Sequence, residues 1–283
     1  MRRPYPAPPT SGLPVRGAGR AHAARYGRSV LVAAALVPDT VLLLPGVAGR
    51  SPEDPAPVAL RRAAATATAR AVAHADRVVV VAPGPLTRCV VGPVHAGAAA
   101  AGVPDHLLGA PVPDLVLGPV PGAPPVPGAP GTGAVVGLRS ALDAGVAADR
   151  LHLLEVAPGP VTGLRAVGAA LGADVPTALV VVGSGSARHG PGAPLPQDAR
   201  APAWDGAVVA ALRAGAGQAR DALAGADAGT AADLAATGWA PWQVLVGALD
   251  ALPPGAPALA PEVLRADVWH GAAHAVVLWE VAP

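Results

Sequence analysis

The chain of 283 residues sets 20 Lys and Arg against 19 Asp and Glu, for a formal charge of +1, and holds a single cysteine, Cys89. Such near-neutrality supplies no field to draw nucleic acid or an anionic membrane surface. One thiol excludes an internal disulfide and a multi-thiolate metal site, and it fits a reducing cytoplasm.

Residues 1–28, "MRRPYPAPPTSGLPVRGAGRAHAARYGR", carry Arg, Pro and Gly without hydrophobic periodicity. They are expected to form a disordered tail, leaving 29–283 as one domain. Arg2-Arg3 could open a twin-arginine signal, but Pro38, Asp39 and Pro45 interrupt the apolar run that follows, so export is not expected. No stretch reaches the ~20 uninterrupted apolar residues of a membrane span.

"SVLVAAALVP" (Ser29 to Pro38) is continuously apolar and stops at Pro, which predicts a buried first strand. "ALRRAAATATARAVAHA" (Ala59 to Ala75) lacks Gly and Pro and predicts a helix, leading through Asp76 into a second strand, "RVVVVAP" (Arg77 to Pro83). From Gly84 to about Gly133, Pro and Gly are so dense that a long irregular excursion with one short strand is expected. Cys89 lies in it, to be read as a buried inert thiol or, beside a basic group, as a nucleophile.

A helix over Ala134 to Ala148, the strand "LHLLEVAP" (Leu151 to Pro158), the helix "VTGLRAVGAALGAD" and the strand "TALVVVGSG" follow. Strand, helix, strand at this length is a βαβ unit, implying parallel strands with helices on both faces. "WDGAVVAALRAGAGQARDAL" and "TAADLAATGWAPWQVLVGALDAL" supply further helix, and "VLRADVWHGAAHAVVLWEV" reads as two strands joined near Gly271. The expected architecture is a three-layer α/β domain with a mostly parallel, mixed central sheet.

The loop "GSGSARHGPGAP" (Gly183 to Pro194) leaves the carboxyl end of a parallel strand, where sites in open α/β sheets lie. It lacks the third glycine of a dinucleotide fingerprint, the Gly-x-Ser-x-Gly of a nucleophile elbow, and any P-loop Lys. Two readings remain: backbone N–H groups and Arg188 hold an anion, or Ser184 and Ser186 satisfy a turn and Arg188 is solvated. His270 and His274 form H-x-x-x-H in the C-terminal hairpin, where the rings could meet across the turn as metal ligands or be ordinary histidines. His74, His95, His106 and His152 stand singly. Glu155 in an apolar strand is costly unless paired, with Arg165 or Arg188 as candidate partners, or lies at an edge. Trp242 is read as a core anchor or a pocket wall.

The strand with "GSGSARHGPGAP", then "DARAPAWDGAVVAAL" and "TAADLAATGWAPWQVLVGALDA", resembles the class III extradiol ring-cleavage dioxygenase superfamily. It resembles more narrowly the subunit-B-like proteins common in actinobacteria, and "AAALVPDTVLLLPGVAG" and "ADRVVVVAPGPLTR" match that group's first two strand ends. The resemblance covers Ser29 to the C-terminus and implies the corresponding α/β fold. It also implies iron(II) held by two His and one Glu, with a further His as acid-base catalyst. At the matching positions this chain carries Asp39, Gly84 and Gly238 for the ligands and Arg188, followed by His189, for the catalytic His. None of the four is retained. The resemblance therefore implies a protein without iron or other cofactor that keeps the cleft and binds a small anionic or aromatic molecule. Ser184, Ser186, Arg188 and His189 would make the polar contacts, Asp39 and Trp242 would form the opposite wall, and Gly84 would line the pocket. Two alternatives stand beside it: a metalloenzyme with Fe or Zn in a site rebuilt from Asp39, His189, His270 and His274, and a scaffold acting as a homodimer.

Overall fold

A computed structural model describes residues 31–47, 55–172 and 174–281. The tail expected over 1–28 lies outside the described residues. Among the described residues nine strands form one mixed sheet: β1 (Leu31–Val37), β2 (Arg77–Pro83), β3 (Arg88–His95), β4 (Asp114–Leu117), β5 (Pro125–Pro127), β6 (Leu151–Val156), β7 (Thr177–Val182), β8 (Leu259–Trp269) and β9 (Ala272–Val281). Their order is β4-β3-β6-β2-β7-β1-β9-β8, with β5 added to β3.

The four central strands β6, β2, β7 and β1 are parallel. Burial on both faces explains why they read as unbroken apolar runs. Side chains alternate between two cores: Val78, Val80 and Ala82 enter one and Val79 and Val81 the other. A register shift after Leu31 turns the adjacent Val32 and Ala33 of β1 into the same core.

Helices α1 (Pro55–Val72) and α2 (Thr132–Asp143) pack on one face of the sheet. On the other lie α3 (Val161–Leu171), α5 (Ala216–Gly225), the short α6 (Ala228–Asp233) and α7 (Trp239–Asp250), with α4 (Ala201–Ala214) packed on α5 and β8. Glycine permits the tightest crossings. A Cβ on Gly168 of α3 would stand 1.9 Å from the Val244 carbonyl of α7, and one on Gly247 of α7 would stand 2.1 Å from the Arg165 carbonyl of α3. Among the described residues no helix is long and apolar enough to cross a membrane.

Two expectations are corrected and a third is refined. The Pro-rich excursion contains three strands rather than one, because β3 pairs antiparallel with β6 and then carries β4 and the Pro-edged β5. Half of the strand pairings among the described residues are antiparallel, so the sheet is mixed with a parallel centre rather than mostly parallel. The two late helical segments are each broken, the first at Gly215 with φ 123° and the second between Asp233 and Trp239, where Ala235 has φ 55°.

Because the central strands are parallel, Pro38-Asp39, Pro83-Gly84, Glu155-Val156 and Gly183-Ser184 share one sheet edge. Strand β9 runs antiparallel to β1, so its beginning, Ala272 to His274, comes to that same edge.

Candidate functional site

The loop after β7 is tied on both sides. Gly183 N–H donates to the Val37 carbonyl of β1, Ser184 N–H donates to Thr237 Oγ1, and Gly238 N–H donates to the Ser184 carbonyl. A Cβ on Gly183 would meet Gly238 Cα at 2.4 Å, so this close approach to the start of α7 requires glycine. Further along, Gly185 and His189 N–H donate to the carbonyls of Ala273 and Gly271, and Ala273 N–H donates to Ser186. The loop thus extends the sheet edge against the start of β9.

Two carboxylate-backed imidazoles result. Ser184 Oγ lies 2.6 Å from Asp39 Oδ1 and 3.1 Å from His274 Nδ1. The hydroxyl donates to Asp39, so the ring donates Nδ1–H to Oγ and Nε2 keeps its lone pair. Burial lowers the His274 pKa, opposed by the charges of Asp39 and Asp267, which favours the neutral ring. On the other side His189 Nε2 lies 2.6 Å from Asp205 Oδ2, both side chains about a tenth exposed. Asp205 also accepts the Ser186 N–H at 3.1 and 3.2 Å. Burial pushes the Asp205 carboxyl up, against the lowering effect of His189 and Ser186. A Cβ on Gly185 would stand 2.2 Å from Asp205 Oδ1, so the second glycine of the loop admits this carboxylate.

A cavity of about 310 Å³ opens beside these groups, with Leu36, Val208, Val209, Leu212, Leu223 and Trp242 as its apolar wall and His189, Asp205, Asp267, His274 and Arg213 as its polar lining. Trp242 stacks on Trp204 with ring centroids 6.0 Å apart. A second cavity, about 250 Å³, is lined by Asp39, Ser184, Thr237, Trp269 and His270, and shares Gly185 and His274 with the first.

The sequence-predicted residues therefore separate. His189 and Trp242 line the larger cavity; Asp39, Ser184 and His270 line the smaller; His274 lines both; Gly84, Ser186 and Arg188 line neither. Ser186 Oγ donates to the Leu234 carbonyl and accepts the Arg188 N–H. Arg188 Nη1 donates to the Pro196 carbonyl at 2.8 Å, away from both cavities. His270, with φ 48° in the hairpin turn, lies against Trp269 rather than in a ligand cluster. Glu155 is fully buried and does form a polar network, but its partner is Arg88 at 2.8 Å, with Gly131 N–H at 2.6 Å, and not Arg165 or Arg188. Cys89 is buried, its thiol pKa raised by that burial, with Val120 N–H donating to Sγ.

Asp205, Asp267 and Arg213 were not legible as site residues. For Asp205 a signal existed: a carboxylate inside the apolar helical run "AWDGAVVAAL" is costly unless a partner meets it.

The donor set does not fit the iron that the resemblance implies. Gly84 offers no ligand, and a Cβ there would lie 2.8 Å from Glu155 Cβ; a Cβ on Gly238 would lie 2.5 Å from the Trp242 ring. Among the described residues no three His, Cys, Asp or Glu side chains are grouped to hold a metal, so Asp39, His189, His270 and His274 do not form one centre.

The sequence matches no protein-family profile and no curated protein sequence. The structure aligns with that of an uncharacterized protein, JW3007, from Escherichia coli K12, over 88% of this chain and 99% of that one, with 13% identity and a TM-score of 0.42.

Proposed function

We propose that this protein binds a small aromatic or anionic molecule in the 310 Å³ cavity, on an extradiol-dioxygenase-like domain whose iron positions have been refilled. The observation that carries the reading is the lining itself: an apolar chamber at the carboxyl edge of parallel strands into which two carboxylate-backed imidazoles converge. Few polar groups in a mostly apolar concavity is the usual composition of a small-molecule site. His189 and His274 supply the polar contacts, and Trp242 supplies the flat wall.

Calorimetric titration with benzoate, phenylacetate, 4-hydroxyphenylacetate and catechol tests this. Gly206 lines the cavity, and a Cβ added there would meet open space, so Gly206→Leu should obstruct the chamber without a steric penalty in the fold. The expected result is saturable binding of at least one of the four, lost in G206L at an unchanged or raised unfolding midpoint. Binding of none of them, or binding indifferent to G206L, overturns the reading.

A further inference from the structure

The smaller cavity differs in charge from the larger one. Asp39 is the one carboxylate of its lining, no Arg lines it, and with its histidines neutral the lining carries a formal charge of −1. Asp39 is partly buried, and the start of α2 packs against it: a Cβ on Gly133 would stand 3.2 Å from Asp39 Cβ. Oδ1 accepts the Ser184 hydroxyl at 2.6 Å, while Oδ2 has neither a hydrogen bond nor a cation among the described residues.

The nearby charges leave Asp39 uncompensated. Arg188 turns to Pro196, and Arg265 is engaged with Asp267. Burial favours the neutral ring of His274. A carboxylate taken partly out of water without a cation is unfavourable, and an occupant that brings the positive charge relieves it. Around it the cavity offers acceptors: the hydroxyl oxygens of Thr40 and Thr237 take the N–H groups of Leu42 and Ser184 and each keeps a further lone pair. Trp269, the last residue of β8, supplies an aromatic surface, with its ring centroid 4.5 Å from that of His270. Leu42 and Pro194 add apolar surface. Because no three His, Cys, Asp or Glu side chains are grouped to hold a metal among the described residues, the cation that matches this lining is organic.

We infer that the smaller cavity is a second binding site, for a primary ammonium ion that carries a single aromatic ring. The ammonium donates to Asp39 Oδ2 and to the threonine hydroxyls, a charge-assisted contact, and the ring and its cationic end lie against Trp269. The volume of about 250 Å³ falls below the ~300–1,000 Å³ usual for drug-sized ligands, which limits the occupant to one ring. An anion is refused, since it would meet the Asp39 charge with no cation to offset it. The site does not depend on the binding reading for the larger cavity.

The test uses the full chain, with benzylammonium and phenethylammonium as cationic probes and benzyl alcohol as the neutral one. Calorimetry measures affinity, and amide NMR locates the site. At least one cation should bind saturably and more tightly than benzyl alcohol. The amides of Thr40, Ala187, Ala235 and Ala272 should shift, and those of Val208, Val209 and Leu212, on the larger cavity, should not. Asp39→Asn, which keeps an acceptor for Ser184, should weaken cation binding about 10–100-fold. Trp269→Leu, at a partly exposed position, should weaken it roughly 2–30-fold. Unfolding midpoints confirm that each variant is folded; should D39N not fold, the benzyl alcohol comparison and W269L decide. The inference is overturned if neither cation binds, if benzyl alcohol binds as tightly, if the shifted amides are those of the larger cavity, or if affinity is unchanged in a folded D39N or in W269L.

Discussion

Gly168 is the position where the packing of this protein is most exposed to a single methyl group. In Gly168→Ala the added Cβ would meet the Val244 carbonyl oxygen at 1.9 Å and the Ala248 nitrogen at 2.9 Å. Ordinary non-bonded contacts to carbon stand near ~3.5 Å, so α3 and α7 must separate by about 1.5 Å. The obstacle is backbone and cannot rotate away, which places the cost at the upper end of the ~1–3 kcal/mol typical of overpacking. Relief of glycine's conformational entropy in a helix returns about 0.5–1 kcal/mol, leaving a net loss of about 2 kcal/mol. For a domain of this size that lowers Tm by about 4–8 °C. Gly163, on the same helix, is exposed and meets nothing within 4 Å. Gly163→Ala therefore keeps only the entropic gain and should raise Tm by roughly 2–3 °C. Thermal unfolding of the two variants beside the parent protein measures both. If G168A is as stable as G163A, the close α3–α7 crossing is wrong, and with it the placement of Trp242 on the cavity wall.

Three further outcomes are expected. Arg88→Met strands the fully buried Glu155 carboxylate without its cation and should cost about 3–5 kcal/mol in urea unfolding, with part of the loss recovered in the Arg88→Met/Glu155→Leu double variant. His274 has a folded-state pKa below the unfolded imidazole value of about 6.5. Its contribution to stability is full above about pH 6.5 and is lost as pH falls towards the folded value, since the unfolded chain takes the proton first. The urea midpoint of the parent protein should therefore drop more steeply below that pH than the midpoint of His274→Gln. His95 is bridged between Asp114 and Asp105, each at 2.7 Å, and those hydrogen bonds raise its pKa. An NMR titration should place it above an ordinary imidazole, and Asp114→Asn should bring it down; an unchanged value in that variant would show that the bridge does not form in solution.

The parallel centre of the sheet was legible because burial on two faces leaves a plain mark: "RVVVVAP" and "TALVVV" admit few other readings. The hairpin at Gly271 was legible for the local reason that a turn breaks two apolar runs. Strand β3 was not, since Gly92 and Pro93 interrupt it and its partner β6 begins more than fifty residues later. The Arg88–Glu155 pair was hidden by the same long-range pairing. At the site, "GSGSARHG" marked the right loop, but its inventory of polar residues did not say which would face a cavity. Arg188 turns to Pro196, whereas His189 turns to Asp205 from a helix read only as apolar. His274 stood out through its spacing from His270, yet what fixes it is Ser184, ninety residues earlier. Spacing along the chain carries information about turns and helix faces. It carries little about which strands an antiparallel addition brings to one edge.

The position of β1 has a consequence for how this chain comes together. The first strand of the domain lies in the interior of the sheet, where Ala35 pairs with Val180 on one side and Leu278 on the other. Neither neighbour is nearby in sequence, so β1 is not paired on both sides until β9 has been made, and loop closure over such separations slows folding. A nascent or C-terminally shortened chain would leave an apolar strand, "LVAAALV", with an unpaired edge, the kind of edge that associates with other chains. The same missing segment carries His274. Assembly of the sheet and assembly of the site thus finish in one event, and a chain that lacks β9 has neither.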